Sequence, residues 1–385
     1  MSPSSHSNPH PHRDHAAPVP PLKQKMALGF KSFFDGARKL ALGDGAGDAE
    51  AKASTTDDLF PRTTPDVDGD DCAHDCASCT VKYPRHFKVE ESDVLYGHVK
   101  GWSTHVLVAT GKTDWVRDVE DEKGSVMQAI GRAEKPENGK LMLSASNIPT
   151  PTHTSDYSEP TTVLLLPAFA VIENVTPTSV PTLIAEYVNR GPTNTSPLAP
   201  FSLPRSIPDS ALTAHPSPHR ALILLCSQKT RDARCGQSAP LLRKELERHL
   251  RPLGLFRDLD DHRPGGVGIY FISHVGGHKY SANMMVYRRP DAFGLDAVAR
   301  GQLPEAERDV QPAQTQKISA GGGGGDEGEG EGDDDPGAAQ CIWLARVRPE
   351  DCENIVKYTV LQGKVVKPDH QLRGGFDRGK GLMSW

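Results

Sequence analysis

The sequence predicts two α/β domains. Three observations carry that expectation. Apolar runs of strand length follow one another at HVLVATG (105–111), KLMLSAS (140–146) and TTVLLLPAFAVIENV (161–175). A second series begins at ALILLC (221–226), passes through a helical pattern and resumes at VGIYFISH (267–274) and NMMVYR (283–288). Between the two series, residues 188–216 are rich in Pro, Ser and Thr, hold no sustained period and read as a linker.

Composition sets the outer limits. A chain of 385 residues suffices for two ordinary domains, while 36% hydrophobic content with 36 Gly and 32 Pro leaves part of it expected to be unstructured. The formal charge is -6, and the run GGGGGDEGEGEGDDD (321–335), with seven acids and no base, more than accounts for that imbalance. With no basic stripe interleaved with aromatics, a nucleic-acid partner is not expected. The apolar run Thr161 to Ile172 is too short and proline-broken to span a bilayer, so no transmembrane segment is expected.

Taken in order, residues 1–70 read as a disordered or targeting-like tail. Within it, 22–40 carries Lys23, Lys25, Lys31, Arg38 and Lys39, with Phe30, Phe33, Phe34 and Ala37 at helical spacing. That segment suits a mitochondrial presequence, a membrane-surface helix or an ordinary amphipathic helix. The first domain is expected over 71–187 and the second over 217–376. In the second, ALILLC is a buried strand and a polar loop, SQKTRDARCG, follows it. Ser238 then caps a helix with Pro240 in its first turn and Leu242, Leu246 and Leu250 on its apolar face. Residues 293–337 read as a disordered Gly/Asp/Glu insertion. CIWLARV (341–347) is the next strand, PEDCENIVKYTVLQG (349–363) a helix closed by glycine, and 377–385 a tail.

Seven cysteines are present, at 72, 76, 79, 226, 235, 341 and 352. An odd count without a secretory leader argues against a disulfide framework and for metal or thiol chemistry. Cys226 ends a strand, where open α/β sheets place functional groups. Cys235 stands near a helix start, and Arg231, Arg234 and the helix N-terminus favour thiolates there. His274 ends a second strand and forms an H-x-x-x-H pair with His278 around Gly276 and Gly277, which allow close backbone approach. The zinc-protease pattern H-E-x-x-H is missing. Two thiolates and two imidazoles suit zinc or a Rieske-type [2Fe-2S] centre, and spacing leaves both open. Cys72, His74, Cys76 and Cys79 form a second, weaker candidate metal site. Cys341 and Cys352 read as packed free thiols. A thiol–disulfide oxidoreductase using Cys226 and Cys235, and a zinc-stabilised interaction protein, are the rival classes.

The segments LLCSQKTRDARCG (224–236), YFISHVGGHKYSANMMVY (270–287) and IWLARVRPED (342–351) resemble the fungal sucrase/ferredoxin-like family, as do DCAHDCASCTVKYP (71–84), TGKTDW (110–115) and RGGF (373–376). The resemblance implies a thioredoxin-like ferredoxin whose cluster takes two cysteines and two histidines. The family positions fall on Cys226, Cys235, His274 and His278, the expected iron ligands of a [2Fe-2S] cluster. It implies two thioredoxin-like domains, the first without ligands, and an iron–sulfur electron carrier rather than a stand-alone enzyme. Neutral imidazoles in place of thiolates imply a potential above that of all-cysteine centres. Arg231 and Lys279 are expected to ease reduction. No specific carboxylate pair marks a sugar hydrolase. Met383-Ser384-Trp385 resembles the terminal tripeptide read by the cytosolic iron–sulfur targeting machinery, a partner that points to the cytoplasm, with the mitochondrion as alternative. The electron donor and acceptor are not named by the sequence.

Overall fold

The computed structural model describes residues 51–294 and 335–385, all within the unit Glu50–Trp385. The readings of the 22–40 helix and most of the 293–337 insertion lie outside the described residues.

Two strand series repeat one pattern. In the first, β2 (Thr104–Ala109) runs parallel to β3 (Leu141–Ser146), with the helix Val126–Arg132 between them in sequence. β4 (Thr161–Leu166) is antiparallel to β2, and β5 (Ala170–Val175) to β4. In the second, β7 (Ala221–Cys226) runs parallel to β9 (Val267–Ile272), and the helix Ala233–Leu250 connects them. β10 (Met284–Arg288) is antiparallel to β7, and β11 (Gln340–Leu344) to β10. The series meet edge to edge where Ser146 of β3 bridges Ile272 of β9. With β1 (Ala51–Lys52), β6 (Thr213–Pro216), β8 (Phe256–Arg257), β12 (Leu372–Asp377) and β13 (Leu382–Met383), they form one mixed sheet among the described residues.

Strand alternation sorts the apolar residues into three layers, because successive side chains leave opposite faces. Ile223, Leu225, Ile269, Phe271, Met284 and Val286 face the helices of the second half. Val106, Val108, Val163 and Leu165 face the helices of the first. The complementary positions Leu107, Leu164, Leu222, Leu224, Tyr270 and Met285 share a cluster to which both halves contribute. Burial on both faces explains why these strands read as continuous apolar runs.

The shared cluster also explains why segments expected to be tail or linker are ordered. Leu59 and Phe60, expected in the 1–70 tail, are fully buried in the core of the second half, and β1 pairs with β13. Tyr83 and Tyr96, assigned by sequence to the first domain, pack on that same core. The linker 188–216 closes with β6 on β5, and Arg378 bonds the Ser196 and Pro197 carbonyls within it. The 377–385 tail holds β13, paired with β12. Each carries a few apolar anchors among polar residues, too sparse to show a period.

The long helix begins five residues before the predicted cap. Asp232, not Ser238, is the N-cap, and its carboxylate accepts the Arg234 N–H at 2.9 Å. Pro240 therefore lies inside the helix, and Cys235 lies in its first turn.

Candidate functional site

The ends of β7 and β9 lie side by side because the strands are parallel and in register, Cys226 opposite Ile272. Cys226 finishes one strand and His274 stands two residues beyond the other. The Cys226 sulfur and His274 Nδ1 are 3.9 Å apart. Cys235 enters from the first helical turn, and its sulfur is 3.3 Å from Ser281 Oγ. The His274 and His278 rings have centroids 5.2 Å apart. Both cysteines are buried, His274 is half-buried and His278 is exposed. The site thus has a dry sulfur side and a wet imidazole side.

Its loop is fixed from several directions. Gln228 Oε1 accepts the His274 N–H at 2.8 Å. Gly276 and Gly277 both have positive φ, 93° and 69°, which glycine adopts without a steric penalty. Ser281 Oγ donates to the His278 carbonyl at 2.8 Å, and Asn283 Nδ2 to the Gly277 carbonyl at 3.1 Å. The hydrogen bond with Cys226 holds the Cys235 thiol well below its ordinary pKa against the effect of burial, with His274 and Ser281 adding to the shift. The same pairing, then burial, push Cys226 the other way.

The cations expected to serve this site are engaged elsewhere. Arg231 bonds Asp118 at 2.7 Å and Lys279 bonds Asp93 at 2.6 Å. The buried cation with an electrostatic contact to Cys226 is Arg373, which also bonds the Gly276 carbonyl at 3.0 Å and Asn283 Oδ1 at 2.8 Å. The RGGF motif alone does not mark Arg373 for this role. All six positions of β12 are buried, Arg373 and Asp377 included, a placement that the sequence LRGGFD does not announce.

The second candidate set divides. Cys72 is buried on the turn Asp70–Ala73, His74 is exposed, and the Cys79 thiol donates to the Val81 carbonyl at 3.1 Å. Cys76 instead joins Glu245 and His249, with ligand atoms within 4.8 Å of one another. Among the described residues, neither the four expected iron ligands nor Cys72, His74, Cys76 and Cys79 gather that closely. All seven cysteines are free, and Cys341 and Cys352 are buried. No helix of the described residues is long and apolar enough to cross a membrane.

Comparison with known proteins gives the following. The profile described as sucrase/ferredoxin-like matches residues 95–374. Actin patches distal protein 1 of Saccharomyces cerevisiae is 31% identical over 242 residues, covering 57% of this chain and 72% of that protein. Altered inheritance of mitochondria protein 32 of Clavispora lusitaniae is 26% identical over 149 residues, and that of Debaryomyces hansenii 28% over 146. These alignments cover 39% and 38% of this chain and 33% of each relative. No solved structure matches.

Proposed function

The chain belongs to the sucrase/ferredoxin-like family, and from that premise we propose that it is a one-electron carrier with a [2Fe-2S] cluster on Cys226, Cys235, His274 and His278. The observation that carries the reading is that Cys226 and His274 stand at the ends of adjacent parallel strands, with Cys235 in the first turn of the following helix and the His278 ring beside that of His274. The donor chemistry fits the group: two buried sulfurs and two imidazoles make up a Rieske-type ligand set. When bound, such a cluster supplies a one-electron couple at a potential above that of all-cysteine centres.

The chain's own residues shape the rest. Ser281 and Cys226 stabilise charge on the Cys235 sulfur, the inner side of the site. Gln228 and Asn283 hold the backbone at both ends of the histidine loop. Arg373 puts positive charge opposite Cys226 inside the protein, where its electrostatic effect is weakly screened. Exposed His278 brings one edge of the site to solvent, where a redox partner can dock. Each half reads as a thioredoxin-like unit, supported by the shared order of a parallel pair, an antiparallel strand and a further antiparallel strand. The cytoplasm is the proposed location. The word mitochondria in the name of the shorter matches keeps the alternative open to test.

The acidified Cys235 beside a buried Cys226 thiol favours a second reading, a dithiol oxidoreductase. One experiment separates the two. The protein is purified anaerobically, and its visible absorption and reduced-state electron paramagnetic resonance are recorded beside His274→Cys and His278→Cys. A brown protein whose spectrum is altered by both substitutions supports the cluster. A colourless protein that takes up no iron on anaerobic reconstitution overturns it and leaves the dithiol reading.

A further inference from the structure

Glu245 and His249 stand one turn apart on the helix Ala233–Leu250, so their side chains share a face. Glu245 is completely buried and His249 nearly so, with side-chain exposures of 0% and 13%. A carboxylate so placed requires a cationic or hydrogen-bonding partner. Cys76 approaches from the loop after Asp70–Ala73, which is tied down by the Cys76 N–H to the Glu350 carbonyl at 3.0 Å. Asn354 Nδ2 also bonds the His74 carbonyl at 2.8 Å. The Cys76 sulfur is 3.9 Å from His249 Nε2, which is 3.5 Å from Glu245 Oε1.

The three donors converge on one cationic atom. Arg248 Nη2 lies 3.4 Å from Cys76 Sγ, 3.0 Å from His249 Nε2 and 2.5 Å from Glu245 Oε1. Arg248 is itself one-third exposed, so its long stem can carry the guanidinium out to solvent. Cys76 also lines a neighbouring cleft of about 690 Å³, together with Cys79. We propose that Cys76, Glu245 and His249 bind a divalent transition-metal ion of the zinc class, which takes the position of the Arg248 guanidinium. One thiolate, one imidazole and one carboxylate form a borderline-soft donor set suited to zinc, while magnesium and calcium prefer oxygen alone. Three protein ligands leave a fourth position for water. The ion would staple the loop after residue 70 to the helix that carries Cys235 at its opposite end.

The test uses the full chain, stripped by chelator under reducing conditions, exposed to zinc and then dialysed, with zinc counted by mass spectrometry. Cobalt absorption in the visible reports thiolate coordination. Because Cys226 can also take zinc, Cys226→Ser is measured alongside. The expected result is about one zinc per chain in Cys226→Ser, lost when Cys76→Ser or His249→Gln is added to that variant, with melting by circular dichroism confirming that the variants fold. Arg248→Met, which keeps the stem and removes the competing charge, is expected to bind zinc roughly tenfold more tightly or better. Zinc that persists when either substitution is added to Cys226→Ser, or that is absent from Cys226→Ser itself, overturns the proposal. An Arg248→Met protein that takes up no zinc also overturns it, because the guanidinium would then be the site's permanent cation.

Discussion

Arg373 Nη1 lies 3.0 Å from the carbonyl oxygen of Gly276, so a strand buried in the second half grips the loop that carries both histidines. The same nitrogen bonds Asn283 Oδ1, and the guanidinium lies over the Trp343 ring, 4.3 Å from its centroid. Arg373→Met keeps the stem and removes both donors. One buried acceptor, on Asn283, and one part-buried acceptor, on Gly276, then lose their partner, at about 1–3 kcal/mol each. The expected outcome in urea unfolding is a loss of roughly 2–6 kcal/mol. Arg373→Lys should recover part of it, since one ammonium cannot reproduce the planar fork. Gly277→Ala should act on the same contact from the other side. Its Cβ would meet Arg373 Nη2 at 2.6 Å, on a residue whose φ is +69°. If both substitutions leave stability and the loop's hydrogen exchange unchanged, the grip is not structural.

Acid should destabilise the fold through two buried histidines, His105 and His219. His105 lies between Tyr287 and Ser144, at 3.1 and 2.9 Å, and burial pushes its pKa down to about 3. Burial likewise lowers His219 to about 4. Both folded values lie below the unfolded value, near 6.5. Below about pH 6.5 the unfolded chain therefore binds protons that the folded chain refuses, and stability falls with pH until the folded pKa is reached. Each histidine contributes a slope of about 1.4 kcal/mol per pH unit in that window. Unfolding free energies measured between about pH 4 and 6 should fall steeply, and His105→Gln should remove about half of the histidine part of the slope. An unchanged slope in His105→Gln would mean that this histidine titrates normally.

The strands and the cysteine–histidine pairing were legible because each depends on local order. ALILLC and VGIYFISH announce buried strands, and two parallel strands that end together bring Cys226 near His274. Longer-range relations were not legible. Cys76 reads naturally with Cys72 and Cys79, its neighbours in sequence, yet its sulfur meets a helix 173 residues away. Sequence spacing cannot report such closure. Arg231 and Lys279 looked like cations for the site because they flank it, but Asp118 and Asp93 hold them. The two-domain expectation rested on a proline-rich break, and nothing local shows that Leu164 and Leu222 share a core cluster across it.

Thiol reactivity should divide the seven cysteines. Cys76 and Cys79 are half-buried, while the other five are buried. Burial pushes the Cys341 thiol well above its ordinary value, and Cys352 likewise. In metal-free native protein, iodoacetamide followed by peptide mass spectrometry should label Cys76 and Cys79 first, and the rest only on unfolding. Added zinc should slow Cys76 selectively if the site with Glu245 and His249 forms. Rapid labelling of Cys341 would contradict its buried position on β11.

Residues 382–385 should matter for the stability of the fold. Ser384 is fully buried, and its hydroxyl accepts the Gly375 N–H at 3.0 Å while its own N–H reaches the Gly375 carbonyl at 3.0 Å. Met383 sits in the cluster shared by the two halves, and the Trp385 ring lies 4.4 Å from that of Trp102. A tripeptide read by a targeting partner has to leave these contacts first. Removal of residues 382–385 exposes a methionine and a tryptophan face, breaks both Ser384 hydrogen bonds and removes β13 with its pairing to β1 and β12, together at least on the order of 3–6 kcal/mol. Trp385→Ala alone should cost about 1–3 kcal/mol. Thermal melts of the two variants check this directly. A truncated chain that melts with the intact one would show that the tail is already free in solution and available to a partner. A large drop would mean that docking competes with folding, so that binding weakens by the fraction of time the tail stays packed on Trp102.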